Sequence, residues 1–383
     1  MDFPVFDGHN DFLLRLYQAP ERREELWLKG ETDASGNAVG HLDLPRMRRG
    51  GFAGGLFAIY IPSPTAHDSA DYQAMMDAPP YDLPLPDLID AKGAQPVALS
   101  MAAHLHWMAR AAPDDFTLCT TATQIREAMA EGRIAGVMHM EGAEAISPNL
   151  DELPLWHAMG LRSIGPVWSR PTVFGHGVPF RFPGDPDTGP GLTDAGRALV
   201  QACTEMRIMV DLSHMNEAGF NDVARISDAP LVATHSNAHA VTQSTRNLTD
   251  RQLAMIAETG GLVGLNYATS FLRHDGRQSP VMGWDPVMHH LDHLLTHLGE
   301  DGVGLGSDFD GATIPEGIGD VTGLPSLQQA MIQHGFGADL VEKIAHRNWV
   351  AMLERVWGAC PSSARLTQDS QGRSAVRYSG YET

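Results

Sequence analysis

The chain has 383 residues, enough for one large α/β barrel or two average domains. Its formal net charge of −20 excludes a nucleic-acid surface, because phosphate binding needs a basic footprint. No apolar stretch reaches the length of a membrane span, and Cys119, Cys203 and Cys360 lie too far apart for a disulfide framework or a zinc ribbon. No secretory apolar segment precedes the first strand-like run, so a cytoplasmic protein is expected.

In chain order, eight apolar runs have the character of buried parallel strands: 3–6, 53–61, 134–138, 162–167, 207–210, 230–233, 261–266 and 302–305. Helical patterns at 123–131, 193–206, 217–226, 249–258 and 285–298 separate most of them. Strand followed by helix, repeated through the chain, predicts an α/β fold of the (β/α)8 TIM-type barrel class. A doubly wound sheet would place a Gly-rich phosphate turn after its first strand, and none is present. Long βα loops at 62–96, leading into a helix near 100–111, and at 168–192 are expected over the catalytic face. Residues 1–360 read as a single barrel domain, with 361–383 as a polar tail, lid or subunit contact.

Polar clusters follow five of the runs: Asp7-Gly8-His9-Asn10-Asp11, Met140-Glu141-Gly142, Asp211-Leu212-Ser213-His214, Thr234-His235-Ser236 and Gly306-Ser307-Asp308-Phe309-Asp310. Buried carboxylates and imidazoles are costly unless paired or coordinated, so the pattern points to residues gathered around an ion. His9 and Asp11 share a parity at the end of one strand and offer a nitrogen and an oxygen to one cation. Alone, His-x-Asp is explained about as well by Asp11 capping a helix. His214 and His235 end neighbouring strands and can share a second cation, with Glu141 bridging the two. That leaves Asp308 to take a proton from a water made acidic by the cations and to pass it to a leaving amine. His139 and Asp211 read as partners behind the cluster rather than ligands. Tyr60, ending the second strand, is placed either to meet substrate or to pack at the rim.

At these residues the sequence resembles the renal (membrane) dipeptidase family of amidohydrolase-type barrels. The likeness also takes in Leu42-Asp43-Leu44-Pro45-Arg46-Met47, Arg246-Asn247-Leu248 and His290-Leu291-Asp292-His293. It implies a binuclear zinc dipeptidase: His9 and Asp11 on one Zn2+, His214 and His235 on the other, Glu141 bridging, and Asp308 in proton transfer. It further implies that Arg246 pairs with the free carboxylate of a dipeptide, that a D-residue is accepted at the C-terminal position, and that the protein is a homodimer. A guanidinium suits that carboxylate because it binds in a two-pronged geometry.

One position departs from the family. Where its members carry a substrate-binding histidine after the fourth strand, this chain has Trp168, whose indole accepts no proton. His176 and Arg181 in the same loop are the candidates to take over contact with the substrate carbonyl. Trp168 also keeps open a barrel amidohydrolase acting on N-acyl amino acids, lactams or lactones. A non-catalytic metal-binding relative is the remaining alternative, against which the retention of every ligand position stands.

Overall fold

A computed structural model describes residues 2–63 and 70–358. The tail expected at 361–383 and Cys360 lie outside the described residues. All eight apolar runs are strands: β1 Val5–Asn10, β2 Phe52–Tyr60, β3 Ile134–Glu141, β4 Leu161–Ile164, β5 Met209–Val210, β6 Val232–Ala233, β7 Leu262–Asn266 and β8 Val303–Gly306. They pair in parallel in the order β5-β4-β3-β2-β1-β8-β7-β6. A parallel bridge from Asp211 to Val232 joins the two ends of that path, which closes the sheet into a barrel. Closure removes both sheet edges and directs all eight strand C-termini to one mouth.

The floor of the barrel is filled by Trp349, the second residue of the helix Asn348–Trp357. Its indole is fully buried and donates from Nε1 to the Leu305 carbonyl at 2.8 Å. Strand glycines leave it room: a Cβ on Gly304 would lie 2.5 Å from Trp349 Nε1, and one on Gly8 would collide with the same ring. Truncation of so large a buried ring costs about 3–5 kcal/mol.

Helix starts follow side-chain caps. Thr193, Asn216 and Thr249 each accept a backbone N–H from the first turn of the helix that follows, so the helices run Asp194–Met206, Glu217–Ile226 and Asp250–Glu258. Two features depart from the sequence reading. The stretch expected as loop to residue 96 instead enters the helix Ala91–Ala111, capped by Asp90 and with Pro96 inside it. Proline usually stops a helix, but here a buried face from Ala94 to Met108 holds the segment in place. An additional strand, Phe116–Leu118, pairs with the N-terminal half of β3, below the point where β4 joins it.

The two long loops are joined to each other. Tyr81–Asp82 from the first pairs antiparallel with Arg181–Phe182 from the second, and Arg181 meets Asp82 at 2.9 Å. No helix among the described residues is long and apolar enough to cross a membrane.

Candidate active site

The barrel mouth brings together side chains from five strand ends. His9 is in β1, and Asp11 follows it as the residue preceding the helix Phe12–Gln18. Asp11 makes no side-chain capping hydrogen bond to that helix, so capping does not account for it. Its Oδ2 lies 3.3 Å from His9 Nε2. Glu141 ends β3 opposite Tyr60, and its Oε1 is the focus of the cluster. His214 Nε2 is 3.0 Å from that oxygen, His235 Nε2 3.3 Å and His9 Nε2 3.6 Å. Asp308, after β8, forms a second group with His9 and Asp11, in which the candidate ligand atoms all lie within 4.8 Å of one another.

Backbone conformation aims two of these side chains. His214 has φ 65° and Asp308 has φ 58°, the left-handed region that non-glycine residues enter at a cost. Asp308 is held there by its backbone N–H, which donates to the His9 carbonyl at 3.1 Å.

Hydroxyl groups fix the imidazoles from behind. Ser169 Oγ lies 2.8 Å from His214 Nδ1, and Thr234 Oγ1 lies 2.8 Å from His235 Nδ1. Asp211 accepts from the Thr234 hydroxyl at 2.6 Å and from two backbone N–H groups, so it orients His235 through Thr234. His139 turns its Nδ1 to Ser163 Oγ at 2.8 Å and packs edge-on against His9. These contacts leave the Nε2 atoms of His214 and His235 directed at Glu141. Asp7 binds both the Ser307 N–H and hydroxyl, at 2.7 and 2.8 Å, which ties β1 to the turn after β8.

Electrostatics favour a cation here. Burial pushes His9, His214 and His235 down, leaving neutral imidazoles, the form that ligates metals. Burial, followed by repulsion from Asp11 and Asp308, pushes Glu141 up. Both ring nitrogens of fully buried His9 lack a hydrogen-bond partner among the described residues. A polar atom so placed is costly, and a bound divalent ion removes that cost. The donor set of three imidazoles and two to three carboxylates suits a borderline divalent ion such as zinc.

Arg246 lies beneath the cluster, also buried. Its NH2 group donates to the His235 carbonyl at 3.1 Å and its NH1 to Ser236 Oγ at 3.5 Å, while Nε has no partner. It makes no ion pair among the described residues, and burial pulls its pKa down to about 10. A guanidinium can bind a carboxylate in a two-pronged geometry.

A cavity of about 390 Å3 opens over the cluster, lined among others by Asp11, Glu141, His214 and Asp308; Arg246 is not in its lining but packs over Phe271, which is. Tyr60 and Trp168 form one wall, edge to face at 5.1 Å, and Trp168 continues to Phe180 at 5.7 Å and to His214 at 5.7 Å. Arg170, which no sequence pattern singles out, lies under Trp168 and ion-pairs with buried Glu144 at 2.6 Å. Asn266 was equally silent, yet donates to Asp308 Oδ2 at 2.9 Å. His176 is half-buried outside the cavity lining, with its carbonyl accepting from the Asn216 N–H.

The model of the membrane dipeptidase family (peptidase family M19) matches residues 1–371. A metallo peptidase from Rhodobacter sphaeroides, crystallised with a phosphinate mimic of the dipeptide L-Ala-D-Ala, is 67% identical with a TM-score of 0.91, over 93% of this chain and 100% of that one. The dipeptidase AC, a metallo peptidase of family M19, is 66% identical with a TM-score of 0.90, over 94% and 100% of the two chains. A protein encoded in the pqqA 5' region of Klebsiella pneumoniae is 45% identical over 240 residues, 63% of this chain and 89% of its own. The chain therefore belongs to the membrane dipeptidase family, peptidase family M19, and is a metallo-dipeptidase.

Proposed function

We propose that the chain is a binuclear zinc dipeptidase that cleaves dipeptides with a free C-terminal carboxylate and accepts a D-residue at that end. His9 and Asp11 would hold one ion and His214 and His235 the other, with Glu141 available to both. One observation carries the reading: three buried imidazoles converge on a single oxygen of Glu141, at 3.0 to 3.6 Å, with no Lys or Arg side chain among the described residues paired to it. Divalent ions bound there supply Lewis-acid polarisation of a carbonyl and a water acidic near neutral pH.

The chain's own groups do the rest. Arg246 takes the terminal carboxylate and so sets which bond faces Glu141 and Asp308. Asp308, steadied by Asn266, takes the proton of the attacking water and delivers it to the leaving amine. Tyr60 and Trp168 pack against the substrate and exclude water from one side. The L-Ala-D-Ala mimic bound by the Rhodobacter protein supports extending D-residue acceptance to this chain, given the 67% identity. The homodimer rests on the family resemblance.

Hydrolysis rates on L,L-dipeptides, L,D-dipeptides and N-acyl amino acids, with zinc measured on the same preparation, test the proposal. Turnover of L,D-dipeptides by protein holding two zinc ions is expected. Turnover confined to N-acyl compounds would overturn it.

A further inference from the structure

We propose that Asp250, His293 and His297 form a second, surface site for a divalent transition-metal ion, separate from the barrel mouth. His293 and His297 stand four residues apart on the helix Asp285–Leu298, so their imidazoles share one face. Their ring centroids are 4.5 Å apart. Asp250 is the first residue of the neighbouring helix Asp250–Glu258, which brings its carboxylate against that face. The three ligand atoms lie within 4.8 Å of one another.

Spacing separates this arrangement from an ordinary hydrogen bond. His293 Nε2 is 2.7 Å from Asp250 Oδ1, which a simple helix-to-helix hydrogen bond explains. His297 Nε2 points at the same oxygen from 3.7 Å, beyond hydrogen-bond reach, and that bond gives it no role. A tetrahedral ion with bonds of about 2.0–2.1 Å sets its ligands roughly 3.3 Å apart, between the two observed separations. A small motion therefore brings both histidines to that spacing from Asp250, and the two imidazole nitrogens lie within 4.8 Å of each other.

Two imidazoles and one carboxylate select zinc, nickel or copper over magnesium or calcium. The side chains are 23%, 27% and 52% exposed for His293, His297 and Asp250, so solvent completes the coordination. The chain's net charge of −20 adds a field that draws cations in. None of the three residues lines the mouth cavity. An ion held here joins two neighbouring helices and stabilises the folded chain in proportion to its occupancy.

Calorimetric titration of zinc into the untagged full chain, with the mouth already zinc-loaded, tests the site alongside thermal melting. One further equivalent is expected to bind and to raise the melting temperature. His297→Asn removes no hydrogen bond, so it leaves the fold and dipeptide turnover unchanged but weakens that equivalent by about tenfold or more. Asp250→Asn weakens it likewise. Absence of the further equivalent in the wild-type chain, or its undiminished binding by His297→Asn, would overturn the site.

Discussion

Asn266 donates from Nδ2 to Oδ2 of Asp308 at 2.9 Å, and the same nitrogen faces the His235 carbonyl at 3.4 Å. One amide thus couples the carboxylate proposed for proton transfer to the strand end that carries His235. Replacing Asp308 by Asn is expected to lower kcat by about 10²–10⁴-fold, the usual worth of a general acid–base group. Asn266→Ala frees the carboxylate without removing it, so a smaller fall in kcat with little change in KM is expected. Steady-state kinetics on one dipeptide distinguish the two variants.

Arg246 gives a different signature. Loss of a charge-assisted contact of about 1.5–3 kcal/mol corresponds to roughly 10- to 150-fold in kcat/KM. Arg246→Met is expected to show that loss on dipeptides and little on the matching dipeptide amides, which have no carboxylate to bind. Arg246→Lys restores charge but not the two-pronged geometry, so only partial recovery is expected. Equal losses on both substrate classes would contradict the assignment.

The part of this site visible in the sequence is the part that breaks a pattern. A histidine or carboxylate directly after an apolar run is conspicuous, which is why His9, Glu141, His214, His235 and Asp308 stand out. Ser169 does not, because a hydroxyl in a loop has no distinguishing periodicity; only the fold brings it within 2.8 Å of the His214 imidazole, 45 residues away. The Arg170–Glu144 pair is invisible for a related reason: 26 residues separate its members. Among the elements, strands β5 and β6 are only two residues long but sit in readable apolar runs. The helix Ala91–Ala111 was obscured by Gly93 and Pro96, and its tertiary contacts override both.

Gly311 is required for space. A Cβ there would collide with Asp11 Oδ2 and lie 2.5 Å from Asp308 Oδ1. Gly311→Ala is expected to displace both carboxylates, lowering bound metal and turnover together while the circular dichroism spectrum is retained. Normal metal content in that variant would contradict the placement of Asp11.

His290 imposes a pH dependence on stability. Its Nδ1 accepts the Ala238 N–H at 3.1 Å, and its Nε2 lies 3.2 Å from the Leu272 carbonyl, which requires the neutral ring. Burial lowers its pKa from 6.5 to about 3. The unfolded chain binds the proton first as pH falls, so this contribution is intact above about pH 6.5 and is lost progressively toward about pH 3. The full slope is about 1.4 kcal/mol per pH unit for one proton. Denaturant melts at pH 7 and pH 5 are expected to show a shallower pH dependence for His290→Gln than for wild type.

Metal content and turnover of Glu141→Gln, measured on one preparation beside wild type, bear most directly on the proposed sharing of Glu141 between two ions. Two divalent ions per wild-type chain are expected, with the variant losing at least one of them and nearly all turnover. A wild-type chain without stoichiometric divalent metal, or a variant that hydrolyses dipeptides at the wild-type rate, would contradict the binuclear centre.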